Sequence, residues 1–245
     1  MDIKKVRDLI IISIDEEKSM VIACDSIGSI GNKEYDALKV EPFITGKYGV
    51  RVGLLEVMAA NAQVVTVIDN VCAEMEPTGR EIIRGIESEL HNAGLKNIAL
   101  GGSTEENFPT FSTGLGVTVI GIANKKDIKV NKIKTGGVVY SIGVPKVGSE
   151  INYNEDKDIF QYHTLKELLG KEEVYEIVPV GSKGILYEAQ ELAKNNDKAF
   201  TLEGDASVDV HRSAGPATVA IVCADEAIEE EIKQIPNSYK IGVIK

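Results

Sequence analysis

The sequence predicts a mixed α/β protein of the α+β type in two parts, residues 1–128 and 129–245. Three observations carry this expectation. The chain has 245 residues and 43 % hydrophobic composition, enough to bury a full core over one large domain or two smaller ones. Short runs rich in Ile, Val and Ala alternate with stretches patterned at the helical period. A polar, lysine-rich stretch near 125–135 separates a cleanly alternating first half from a more loosely patterned second half.

Taken in order, residues 9–14 (LIIISI) and 20–24 (MVIAC) read as strands, and a glycine-containing loop follows from Asp25 to about Asp36. Residues 45–62, rich in Ala, Leu and Met, read as a helix, and 64–73 (VVTVIDNVCA) as a buried β-branched strand with Asp69 inside it. Thr78 and Glu81 have capping-box spacing. Beyond them Ile82, Ile83, Ile86 and Leu90 form one helical face, with His91 on the opposite, solvated side and Gly94 placed to end the helix. NIAL (97–100) is strand-like and runs into GGSTEENFPT, and 114–123 is a further strand. In the second half, 132–145 reads as a strand pair or one bent strand, 150–163 as polar loop, 164–170 as a short helix and 174–180 as a strand. Residues 183–195 read as a helix, 217–224 as a strand, 225–234 as a helix whose early acids suit its dipole, and 239–244 as a closing strand.

The balance of 27 Lys plus Arg against 38 Asp plus Glu gives a net charge of −11, which argues against a nucleic-acid groove or an anionic membrane surface. No apolar run approaches the ~20 residues of a membrane span. The N-terminal apolar run ends in acids rather than in small residues, so it reads as a strand and not a signal peptide, and the expected location is cytoplasmic. Cys24, Cys72 and Cys223 share no CxxC spacing, and the three histidines (His91, His163, His211) are scattered, so no structural zinc is expected. The cysteines read as buried small hydrophobes in a reducing cytosol.

Phosphate-binding loops of the GxxxxGK[ST] and GxGxxG types are absent, as are kinase and GxSxG signatures. A nucleotide here would need metal ions held by carboxylates to neutralise its phosphates. Acids do stand at costly places: Asp8 before LIIISI, Asp25 directly after VIAC, Asp69 among β-branched residues, and Glu105 and Glu106 past the end of NIALGGST. An acid so placed is capped, at a strand edge, paired or metal-bound. For each alone the capping or edge role is the simpler one; repetition at strand ends points to a shared cation site. In CDSIGSIGNK, Gly28 and Gly31 would let the backbone approach a ligand and Lys33 would meet a phosphate, although a plain turn explains the loop equally well. GGSTEENFPT packs two glycines, two acids, three hydroxyls and an amide into ten residues. His211, Arg212 and Ser213 form a second polar cluster, either a surface loop or a substrate contact.

These segments resemble the aminoimidazole ribonucleotide synthetase superfamily, which includes selenophosphate synthetase and thiamine-monophosphate kinase. ACDSIGSIG is similar to its TDGVGTK-type loop, GGSTEEN to its GGETAEM segment and LEVMAANAQV to its NDxxxxGAxP helix. VGSKGILYEAQELA is similar to DxSDGLxxxLxEL, and HRSAGPATVAIVCA to the late glycine-containing strand. RDL, IACDSIGSIGNK, EMEPTGR and GSTEENFPTFSTGLGVTVIG resemble the α-ribazole kinase branch. The resemblance implies an N-terminal ATP- and Mg²⁺-binding domain that dimerises through its sheet, and a shortened C-terminal lobe. It also implies transfer of the ATP γ-phosphoryl to a small nucleoside, α-ribazole, in cobamide salvage. Asp8, Asp25, Glu56, Asp69, Glu105 and Glu106 would then be metal ligands, with Asp69 or Glu106 the general base. Gly28, Gly31, Lys33, Gly101, Gly102, Thr104 and Asn107 would bind nucleotide. The chain departs from the pattern: Glu56 stands for Asp, Asn61 for Gly, Ser103 for the acid of GGE, and Val180 and Lys183 for the two acids of DxSDG. Within the same fold, an ATP-dependent synthetase, a thiamine-monophosphate-kinase-like enzyme and a non-catalytic nucleotide binder are the alternatives.

Overall fold

The computed structural model describes residues 2–203 and 207–245. The chain divides into two compact units. One runs through Met58 and includes Ala62–Lys126; the other comprises Ala59–Asn61 and Asp127–Lys245.

The first unit contains, in chain order, β1 (Ile3–Val6), β2 (Leu9–Ser13), β3 (Lys18–Gly28), the short parallel pair β4 (Ile30–Gly31) and β5 (Leu38–Lys39), and α1 (Pro42–Ala59). Then come β6 (Gln63–Val71), one wide helical turn at Met75–Gly79, α2 (Arg80–Asn92), β7 (Ala99–Thr104) and β8 (Gly114–Asn124). The main sheet has the order β1-β2-β3-β8-β6-β7; only β6 and β7 run parallel.

Strict alternation builds this sheet. Val21 and Ala23 of β3 and Leu115, Val117 and Val119 of β8 are buried, while Lys18, Cys24 and Ser26 face out. The buried face carries α1, which begins with proline at its first position and is enclosed on nearly every side. α2 lies against α1 at bare-backbone distance: a Cβ on Gly46 would stand 1.9 Å from the Ile82 carbonyl oxygen, and one on Gly85 2.0 Å from that of Phe43. The opposite sheet face is apolar and largely open. Ile12, Met20, Ile22, Ile120 and Ile122 are half-buried there, and Ile10 and Ile68 are exposed.

Several expectations change here. β3 runs through Asp25 to Gly28, so the loop begins four residues later than the apolar run suggests. Its alternation continues past the last apolar residue because β8 supplies a full-length partner. Thr78 does not cap α2. The wide turn moves the helix start to Arg80, and the Thr78 hydroxyl donates to the Glu74 carboxylate instead. Cys24 and Cys72 are exposed rather than buried; Cys24 points to the open face, its Sγ 3.3 Å from Thr118 Oγ1. Gly94, at φ 67°, does close α2, and Asn61, which stands for the superfamily's glycine, adopts φ 61°.

The second unit contains β9 (Gly137–Ile142), a 3₁₀ turn at Gly148–Glu150, α3 (Tyr162–Leu169), β10 (Val174–Pro179), α4 (Gly184–Asn195) and β11 (Phe200–Leu202). It ends with β12 (Ala220–Ala224), a 3₁₀ turn at Glu226–Ile228, α5 (Glu229–Ile232) and β13 (Ser238–Ile244). Its sheet, ordered β10-β12-β9-β13-β11, is antiparallel throughout. Val139, Val178, Ile185, Leu192, Val219 and Ile221 form its core with Cys223, whose thiol burial and Glu176 push up to about 12. Residues 132–145 hold one strand, because Ile133 N–H is drawn to Asn196 Oδ1 and Gly143 turns the chain at φ 104°. The helix expected over 225–234 is broken: Asp225 accepts from Ala227 N–H and starts a 3₁₀ turn, leaving four residues for α5. Among the described residues no helix is long and apolar enough to cross a membrane.

Candidate active site

β8 lies between β3 and β6, and Val117 on it pairs with Asp25 on one side and Asp69 on the other. Side chains paired across neighbouring strands project to one face. Asp25, Val117 and Asp69 therefore form a row on the helix-covered face, with the two aspartates about 10 Å apart at Cα, two strand spacings. Asp69 is only 2 % exposed and Asp25 half-buried, and among the described residues neither is in an ion pair. Burial raises the Asp25 pKa above the usual carboxylate range; the Ser26 N–H partly offsets this and the charge of Asp8 adds to it. Asp8 acts from the turn before Leu9, which pairs with Ala23. Burial raises Asp69 in the same way, against its own N–H.

Gly102 fixes where the Asp69 carboxyl goes. The two residues pair in parallel register, and a Cβ on Gly102 would stand 2.5 Å from Asp69 Cγ and 2.1 Å from its carbonyl oxygen. Gly102→Ala is expected to destabilise the unit by about 1–3 kcal/mol, read as a lower urea midpoint, and to displace the carboxyl. Unchanged stability would show that the pocket over residue 102 is wider than described. Gly28 and Gly101 are different: a Cβ on either meets nothing within 4 Å, so packing does not demand glycine there.

The remaining expected residues are placed elsewhere or already engaged. A Cβ on Gly31 would strike Thr113 Oγ1 at 2.3 Å, so this glycine serves packing. Lys33 Nζ pairs with Glu74 Oε2 at 2.7 Å. Glu105 Oε1 accepts from the Asn107 and Phe108 N–H groups, and Glu106 Oε1 from Met75 N–H and the Thr104 hydroxyl, both at 2.8 Å. These two acids hold the 104–108 segment together. Glu56 is buried within α1. Among the described residues no three His, Cys, Asp or Glu side chains gather into a metal cluster; Asp25 and Asp69 share the row, and the charge of Asp8 reaches Asp25. In the second unit, Arg212 pairs with Glu150, Ser213 Oγ accepts from Gly215 N–H, and the His211 N–H donates to Asp209. Lys183 Nζ sits 4.2 Å over the Tyr187 ring.

Asp36 and Glu74 escaped the sequence reading. Asp36 is 5 % exposed and accepts from Lys33 N–H, the Ser112 hydroxyl, and both the N–H and hydroxyl of Thr113. Burial opposes its charge, but these donors outweigh it and hold the carboxyl below the usual range. The signal was faint, since its main partners lie more than seventy residues away.

Residues 6–123 match the family model described as AIR synthase related protein, N-terminal domain. No curated protein matches the sequence significantly. PurL of Thermotoga maritima complexed with ATP superposes with a TM-score of 0.71 at 14 % identity, over 95 % of this chain and 41 % of that one. The thiamine-monophosphate kinase of Stenotrophomonas maltophilia does so at 0.63 and 14 %, over 99 % and 88 %. AaThiL complexed with AMPPCP and TMP gives 0.64 at 11 %, over 97 % and 84 %. The chain thus spans about two fifths of PurL and has the AIR synthase-like fold.

Proposed function

We propose that the chain is an ATP- and Mg²⁺-dependent phosphotransferase, built as thiamine-monophosphate kinases are built. The observation that supports this best is the Asp25–Asp69 row: two desolvated carboxylates on one face of a sheet whose fold is shared with structures complexed with ATP and AMPPCP. The donor set fits a hard cation. Both groups offer carboxylate oxygen, and Mg²⁺ is usually held by one or two carboxylates plus substrate phosphates rather than by an all-protein cage. Asp25 and Asp69 would hold the ion, which supplies neutralisation of phosphate charge. Gly28 and Gly101, which share the open face with Ser26 and Ile68, do not flank the row. Of the two residues expected as proton acceptor, Glu106 is committed to Thr104 and Met75, and Asp69 stands in the row that would hold the ion.

The narrower reading, that the acceptor is α-ribazole, rests on the sequence resemblance alone. ADP release coupled to a reporter, with α-ribazole, thiamine monophosphate and selenide as acceptors and with Mg²⁺ chelated as control, separates the readings. Phosphorylated α-ribazole supports the narrow reading, and phosphorylated thiamine monophosphate the thiamine-kinase-like one. ATP consumption without a phosphorylated product marks a synthetase. Calorimetric ATP binding without turnover marks a nucleotide-binding protein, and absence of Mg²⁺·ATP binding overturns the proposal. The open face with Ile10, Ile22, Ile68 and Ile120 supports the further proposal of a homodimer, measurable by sedimentation.

A further inference from the structure

Three aromatic side chains stand exposed beside the loops of the first unit: Phe108 at 74 %, Tyr35 at 66 % and Phe111 at 54 %. Tyr35 and Phe111 are neighbours, with ring centroids 6.1 Å apart and planes tilted by 49°. They come from segments distant in sequence, and the fold holds them together deliberately. Tyr35 N–H donates to the Phe111 carbonyl at 2.8 Å. The next residue, Asp36, anchors Ser112 and Thr113, and Ser29 Oγ lies 3.0 Å from Ser112 Oγ. Glu105 fixes the backbone at Phe108. In the same loop the Thr110 hydroxyl is shielded and has no hydrogen-bond partner among the described residues. The rings are therefore exposed and also pre-positioned, the state that lowers the entropic cost of binding.

We infer that Tyr35 and Phe111, with the exposed Phe108 three residues before Phe111 in the same loop, form a stacking platform for the planar heteroaromatic ring of a small molecule. Size excludes a protein partner: three rings at these exposures offer roughly 400 Å², against about 800 Å² per side in a stable protein interface. The net charge of −11 disfavours a nucleic acid. Position favours a ligand of the phosphotransfer site. The platform hangs from Ser29, directly after the strand that carries Asp25, and three extended residues from Asp25 to Gly28 span about 10 Å. A nucleoside laid on the rings would direct its sugar or phosphates along that strand. The platform deepens the phosphotransfer reading and rests on it, and the ring belongs either to the adenine of the nucleotide or to an aromatic acceptor.

Saturation-transfer NMR with three probes tests this: Mg²⁺·ADP, α-ribazole, and ribose 5-phosphate, which lacks a ring. Transfer to the ring protons of ADP or of α-ribazole is expected, and it identifies the source of the ring. Tyr35→Ala/Phe111→Leu should weaken that probe about tenfold, the scale of losing a stacked base, and leave ribose 5-phosphate unchanged. A matched KM increase with little change in kcat is expected wherever turnover is measured. Phe111→Tyr should retain binding, which separates stacking from loop disruption. Equal binding of both ring-bearing probes to the double variant overturns the platform, as does absence of ring contact in the wild type. Ring binding without phosphoryl transfer leaves the platform standing and removes the phosphotransfer reading; transfer with unaltered KM in the double variant does the reverse.

Discussion

Asp25→Asn and Asp69→Asn are each expected to lower turnover by at least about 10²-fold and at the same time to make the ligand-free protein more stable. Both effects share one cause. Folding takes each carboxylate out of water without giving it a cation, so its folded-state pKa lies above the unfolded value near 3.8. A carboxylate shifted in this direction binds its proton more tightly in the folded state. The folded protein is therefore penalised where the group is ionised. The penalty is fully present above the raised pKa and disappears as pH falls through it towards 3.8. Asparagine keeps the shape and removes the charge. In urea unfolding, the stability advantage of each variant over the wild type should be present at about pH 7.5 and shrink as pH falls towards 3.8, and the double variant should show the larger change. Added Mg²⁺ and nucleotide should reverse the ranking, because the cation neutralises the pair and binds only the folded chain. Wild-type turnover in both variants would remove the aspartate row from the mechanism. Variants less stable than the wild type at neutral pH would remove the account of desolvation.

That row also shows what the sequence can and cannot disclose. An acid inside VVTVIDNV or directly after VIAC is visible because burying a charge among β-branched residues is costly, and the eye is drawn to a cost with no local return. Pairing the two is another matter. It depends on β8, whose residues come more than forty positions after Asp69, inserting between β3 and β6 so that Val117 meets both. No periodicity in the chain reports strand order. Glu105 and Glu106 were equally visible, yet their oxygens are used on nearby N–H and hydroxyl groups, a local demand that composition does not reveal. Lys33 looked free for phosphate because its partner, Glu74, is far along the chain. In the first unit β2, β3, β6 and β8 were legible because they alternate or run apolar, whereas β1, β4 and β5, short and mostly outside the core, went unread. β11 is three residues long and mostly exposed, and carries no such pattern.

Arg51→Met is expected to cost about 3–5 kcal/mol of stability, a large part of the 5–15 kcal/mol that a folded chain of this kind commands. Arg51 on α1 and Glu89 on α2 are each 3 % exposed, and Arg51 Nη1 lies 3.3 Å from Glu89 Oε1. A contact of that length repays only part of the desolvation of two ions, so a buried pair of this kind contributes little net stability. Removing one member is different, because it leaves a carboxylate charge in the space between two helices that touch at Gly46 and Gly85. Asn92 Nδ2, 3.0 Å from Glu89 Oε2, supplies a dipole but no charge. The double variant Arg51→Met/Glu89→Leu removes both ions and should recover most of the loss, giving a coupling energy of the order of 0.5–3 kcal/mol or above. Urea midpoints at constant slope measure all of these. Because α1 covers the face on which Asp25 and Asp69 stand, the single variant should also lose activity in proportion to its unfolded fraction, and saturating Mg²⁺·nucleotide should restore part of it. A single variant within 0.5 kcal/mol of the wild type, or a double variant no better than the single, would show that α1 and α2 are held by their glycine contact alone.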